Sequence, residues 1–143
     1  MGQLNADDRW AIAEIVSLHG HLFDEGRLDR LADIFVPEVV YDMSDLGMGT
    51  FEGIETIRRA ALQLGERNPL AHLVTNVVIV DDAPDAATVK SKGLVIRADG
   101  TFGNVSHLDT LVRRDGQWRI SRRVITALRA PWKAAPAAVA DDR

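Results

Sequence analysis

The chain has 143 residues, 46% of them hydrophobic and 27% charged, with a formal net charge of -4 and no cysteine. That length fits one domain, which buries roughly 70% of its unfolded-chain surface and can hold a core without staples. The missing cysteine excludes disulfides and thiolate metal ligands, and the acidic balance gives no electrostatic reason to bind nucleic acid or an anionic membrane. No run approaches the ~20 apolar residues that cross a bilayer. The acidic, polar start MGQLNADDRW lacks the basic end and apolar centre of a secretion signal. The expectation is a cytoplasmic protein.

Residues 6–25 place Ile12, Ile15, Val16, Leu22 and Phe23 at helical spacing. Asn5 or Asp7 can cap the start of this helix, and Gly26 can end it. Residues 28–35 repeat the spacing as a short second helix, which Pro37 stops. Residues 38–43 read as a strand and 44–53 as a loop or turn. Residues 54–64 form a third helix, with Ile54, Ile57, Ala61 and Leu64 on one side, and Asn68-Pro69 breaks it.

From residue 71 the pattern becomes β-branched and strand-like. A turn at Asp81, Asp82, Pro84 and Asp85 leads to a second strand at 86–97. Asp99-Gly100 and Asp115-Gly116 are hairpin turns that set off further strands at 102–113 and 117–128. Three helices followed by a meander of long strands predict an α+β domain whose sheet curls over the helices. That single domain takes residues 1–130. The proline- and alanine-rich tail, 131–143, is expected to be mobile or to lie on a neighbouring subunit. The outer face of the sheet carries Val77, Ile79 or their alternates, more apolar surface than three helices can cover, which predicts a homo-dimer or homo-trimer.

Four histidines occur, His19, His21, His72 and His107. The spacing 12, 15, 19, 22 turns His19 toward the core and leaves His21 outside. A core-facing histidine either is satisfied by a hydrogen bond or works in a site. Asp24 and Glu25 end the first helix, where the helix dipole disfavours carboxylates by ~0.3–1 kcal/mol each; they are either solvated charges or functional residues. His72 opens the first long strand. Arg122 and Arg123 are adjacent in the last strand, so one points toward the helices, and a buried arginine requires an anion or carboxylate. Phosphate-binding glycine loops, nucleophile elbows and zinc-protease motifs are absent, and the three histidines and an aspartate show no metal-ligand spacing, so no metal is expected.

Four stretches carry a resemblance: FDEGRLDRLADIF (23–35), TFEG (50–53), HLVTN (72–76) and HLDTLVRRDGQWRIS (107–121). With this layout the chain resembles the SnoaL-like branch of the nuclear-transport-factor-2-like superfamily, which includes scytalone dehydratase, bile-acid 7α-dehydratase and hexachlorocyclohexane dehydrochlorinase. The resemblance covers residues 6–128. It implies a cone-shaped, curled, mixed or antiparallel sheet that encloses a pocket with three N-terminal helices. It implies Asp24 and His72 as a catalytic dyad, and His19, Tyr41, His107 and Arg123 as pocket residues. Histidine at 19 departs from the tyrosine of the dehydratases, which puts the leaving-group contacts in doubt, and a second paired carboxylate as in limonene-epoxide hydrolase is missing.

The function implied is a cofactor-independent β-elimination, dehydratase- or dehydrohalogenase-like, on a small hydrophobic ring compound. An aspartate-held neutral imidazole can take a proton from carbon at physiological pH. The alternatives are an allylic isomerase of the ketosteroid kind, a non-catalytic ligand-binding or dimerisation module, and the small subunit of a ring-hydroxylating dioxygenase.

Overall fold

The computed structural model describes residues 3–137. Helix α1 runs Ala6–Asp24. The Asn5 side chain accepts the Asp8 backbone N–H at 2.8 Å, and Asp7 and Asp8 occupy the first turn, both favourable at the positive end of the helix. Its inner face buries Ile12, Val16, His19, Gly20 and Leu22, so the predicted stripe is the core-facing one.

The second predicted helix is a 3-10 helix, Leu28–Asp33. Six residues offer too few backbone bonds to hold an α-helix without stronger packing. Strand β1, Phe35–Asp42, starts three residues earlier than its sequence pattern suggests and contains Pro37. Proline is tolerated there because the ladder with the neighbouring strand is irregular between Phe35 and Val40. The predicted loop 44–53 contains a short 3-10 helix and a three-residue strand, β2, Thr50–Glu52, that pairs with β1 at the sheet edge. Helix α2, Ile54–Leu64, buries Ile54 and Ile57.

Four long strands follow: β3 (Ala71–Ala83), β4 (Ala86–Ile96), β5 (Phe102–Arg114) and β6 (Gln117–Ala127). Asp115 and Gly116 both take positive φ, 52° and 75°, as the tight turn between β5 and β6 requires. The six strands lie in the order β2-β1-β6-β5-β4-β3. β1 and β6 are parallel and every other pair is antiparallel, so the sheet is mixed. In β3 the register shifts between Thr75 and Val78, where Asn76 has φ 57°. Such an interruption bends and twists a strand and helps the sheet curl around the helices.

The inner face of the sheet and the helices share one core, centred on Ile12, Val16, Leu31, Phe35, Val89, Leu111 and Ile120. Val77 and Ile79 pack against it. Their alternates Val78 and Val80 face outward with Leu73, Leu94 and Leu108, all exposed, which makes the outer face apolar, as its alternation predicts. No helix among the described residues is long and apolar enough to cross a membrane. Residues 131–137 run as exposed coil; the expectation for the rest of the tail falls outside the described residues.

Candidate functional site

Helix α1 and strand β3 meet closely. A Cβ on Gly20 would stand 2.5 Å from the His72 carbonyl oxygen, so only glycine permits this approach. One turn later Asp24 ends the helix, and its carboxylate takes three contacts from one residue. The His72 backbone N–H donates to both Oδ1 and Oδ2 at 3.0 Å, and His72 Nδ1 lies 2.6 Å from Oδ1. These contacts answer the carboxylate that the helix dipole disfavours. An Nδ1–H that donates to Asp24 leaves Nε2 as the acceptor.

The His72 ring borders a cavity of about 440 Å³ between α2, the 3-10 segments and the inner sheet. Phe23, Met43, Phe51, Ile57, Leu64 and Ile125 give it apolar walls; Tyr41, Asn68, Asn104 and His107 also bring polar side chains to it. Leu46, Met48, Arg67, Arg97 and Asn104 line it and are exposed, which marks its mouth. Asp24 stands behind His72, outside the lining, and borders a smaller cleft of about 210 Å³.

The other pocket residues implied by the sequence fall into two ranks. Tyr41 and His107 reach the cavity, whereas His19 and Arg123 stand behind them. His19 Nε2 meets the Tyr41 hydroxyl at 3.0 Å, and the two rings stack with centroids 5.9 Å apart. Register on the sheet places Tyr41 beside Arg123 and Arg123 beside Asp109, one row across β1, β6 and β5. Arg123, fully buried, donates from Nε and Nη2 to the two Asp109 oxygens at 2.7 and 2.8 Å. Arg122 points out, as adjacency demands, with Asp42 3.7 Å away. His107 Nδ1 lies 3.2 Å from the Ser91 hydroxyl, its partner across β4.

Asp109 and Ser91 escape sequence reasoning. The demand for a carboxylate at a buried arginine is legible, but its source needs the strand register. A usable signal is parity: Asp109 lies two residues from His107, on the same face of β5. Arg67 and Arg97 escape too, because long side chains at strand and helix ends carry no pattern.

Burial sets the charges of this inner layer. It pushes the His19 imidazole well below its ordinary range, and the charge of Arg123 and the nearby His107 and His72 add to the effect. It pushes His107 down to about 2, again with help from Arg123 and His72. Burial raises the Tyr41 phenol against the opposing pull of Arg123. For Arg123 burial opposes the charge, but Asp109 overcomes it and the guanidinium stays protonated.

A pH dependence follows. Both histidines are neutral in the fold, while the unfolded chain protonates them below about pH 6.5. Their influence on stability is nil well above pH 6.5. As pH falls from there toward about 2 the unfolded chain binds protons that the fold refuses, and stability drops. His107 costs about 2 kcal/mol at pH 5, and His19 acts in the same direction. The expected result is a lower melting temperature at pH 5 than at pH 7.5, with roughly 5 °C of the difference coming from His107 and removed by His107→Gln. A melting temperature that stays flat over this interval overturns the assignment.

Comparison with known proteins agrees with the architecture. An NTF2-like protein with a cystatin-like fold from Novosphingobium aromaticivorans shares 25% identity over 85% of this chain and 82% of its own, with a TM-score of 0.72. A proposed aromatic ring hydroxylase of the same organism shares 21% over 90% and 94%, at 0.76. A proposed scytalone dehydratase, also from that organism, shares 20% over 94% and 93%, at 0.72. No curated protein matches the sequence. The SnoaL-like domain model matches residues 5–124, and the cone of helices and curled mixed sheet is the fold of its NTF2-like neighbours: the chain belongs to the SnoaL-like domain family.

Proposed function

We propose that this chain is a cofactor-independent lyase that eliminates water or halide from a small hydrophobic ring compound, with His72 as base and Asp24 as its orienting partner. The observation that carries the reading is the 2.6 Å contact between His72 Nδ1 and Asp24 at the wall of an apolar cavity. Nε2 of His72 takes a proton from carbon. The electron pair of that C–H bond becomes the new C=C bond, and the leaving group departs with its own pair. If it is hydroxide, the proton held by the imidazolium joins it and water is released. Asp24 stabilises that imidazolium while it lasts.

Two neutral groups support the departing oxygen. Tyr41 keeps its proton because burial raises its pKa, and His19 fixes its hydroxyl from behind. His107 is kept uncharged and so offers a hydrogen bond rather than a full positive charge. Apolar walls exclude water, which strengthens each of these contacts. The elimination reading draws further support from the similarity to the proposed scytalone dehydratase.

The test is turnover of fused-ring β-hydroxy ketones by chelator-treated protein, followed by the absorbance of the conjugated product and the loss of one water by mass spectrometry. Product formation is expected. Compounds that raise the melting temperature yet never react would leave a ligand-binding module in its place.

A further inference from the structure

The mouth of the cavity carries charge that its walls do not answer. Arg67 and Arg97 both line it, and no aspartate or glutamate does. Eight arginines have a carboxylate within salt-bridge distance; among the described residues Arg67 and Arg97 do not, and neither do Arg9, Arg59 and Arg119, which lie outside the cavity lining. Asp99, the acid nearest Arg97 in sequence, gives its Oδ1 to the backbone N–H and the hydroxyl of Thr101 at 3.0 and 2.6 Å. What sets Arg67 and Arg97 apart is that both stand at one rim of a cavity whose lining holds no acid.

Arg97 is also held in place. Its Nη1 donates to the Phe102 carbonyl at 2.6 Å and to the Thr101 hydroxyl at 3.3 Å. Its Nη2 lies over Gly103, where a Cβ would meet it at 2.6 Å, so the missing side chain makes room for the guanidinium at the rim. These hydrogen-bond partners are neutral and orient the group; Asp99 feels its charge without forming an ion pair with it. Arg67 ends the short 3-10 helix Gly65–Arg67. Three residues on, the Leu70 N–H bonds to the carbonyl of Ile96, the neighbour of Arg97, which ties the two segments together.

From this rim we infer that the ligand of the cavity is a ring compound bearing a carboxylate. Its ring lies in the apolar interior near His72 and its anionic group sits at the mouth with Arg67 and Arg97. The inference rests on the cavity being the substrate site of the proposed lyase. Fixed charges at the mouth orient the ring so that one C–H faces the base, and they select against the uncharged analogue.

Binding of naphthalene-2-carboxylate and of its uncharged methyl ester, measured by calorimetry on the full chain at low salt, tests it. The carboxylate is expected to bind on the order of tenfold more tightly, with the difference shrinking as salt rises, because both arginines are exposed. Arg97→Gln and Arg67→Gln should each reduce the preference and together remove it, with melts confirming the fold. His72→Ala should leave the preference in place. Equal affinities for acid and ester overturn the inference, as does a preference that survives the double arginine variant or vanishes with His72→Ala. Failure of the lyase reading looks different: the preference stays and no compound is turned over.

Discussion

Replacing His72 with alanine is expected to lower kcat by a factor of ~10²–10⁴ on any ring compound the protein converts, with little change in melting temperature. The ring is about a quarter exposed and sits near the start of a strand, so little packing is lost. The backbone N–H of residue 72 still donates to both Asp24 oxygens, so the carboxylate keeps its place when the ring is gone. Asp24→Asn should also be severe. An amide NH2 placed against Nδ1 holds the ring in the other tautomer, which puts the proton on Nε2 and leaves nothing to accept the substrate's proton. The two changes act on one device, so the double variant should lose far less than the sum of the two losses. Steady-state kinetics of the four proteins decide it. Full activity in either single variant, or losses that add, would sink the dyad.

Asp109→Ala is expected to cost about 3–5 kcal/mol of folding stability, because it strands the Arg123 guanidinium in the core without its counter-ion. For a domain of this size that is a fall in melting temperature of roughly 10–15 °C. Both side chains of the pair are wholly buried and the contact is bidentate, so water cannot take the place of Asp109. Removing both charges, as Asp109→Leu with Arg123→Met, should recover most of the loss, since a buried pair gains little over apolar groups of similar volume. Denaturant titration reads both values. A single-variant loss below about 1 kcal/mol, within the range of an exposed ion pair, would mean that the guanidinium finds another partner. Tyr41 adjoins Arg123 on the sheet, so the double variant also reports how far this pair tunes the phenol at the cavity wall.

Local patterns in the sequence reach much of the fold. The stripe of α1 and the Asp-Gly turns are short-range signals, and each coincides with its element. The short elements are a different case. The 3-10 helix at Leu28–Asp33 has the apolar spacing of an α-helix, and the three-residue β2 exists only because β1 offers it a ladder. The site divides in the same way. Asp24 and His72 lie 48 positions apart and no local rule joins them; resemblance to a family names them, and the contact between helix end and strand start brings them within 2.6 Å. The partner of Arg123 depends on register between β5 and β6, and the mouth of the cavity depends on how α2, β4 and β5 end together. Long-range placement of this kind leaves no periodic trace in a single chain.

The bare α-carbon of Gly20 has a bearing on how this protein can be changed. Glycine inside a helix weakens it by roughly 0.5–1 kcal/mol relative to alanine, so a programme of thermal hardening would select residue 20 early. Here the added methyl would be driven into the backbone of His72 and would wedge α1 away from β3. The spacing of the proton-transfer pair is thus set by an atom that is not there, and robustness of the helix trades directly against the alignment of its last residue. Engineering of substrate range is better aimed at cavity side chains that stand on neither α1 nor β3. Leu46 and Met48 line the cavity from the segment between β1 and β2 and can be varied without moving that joint.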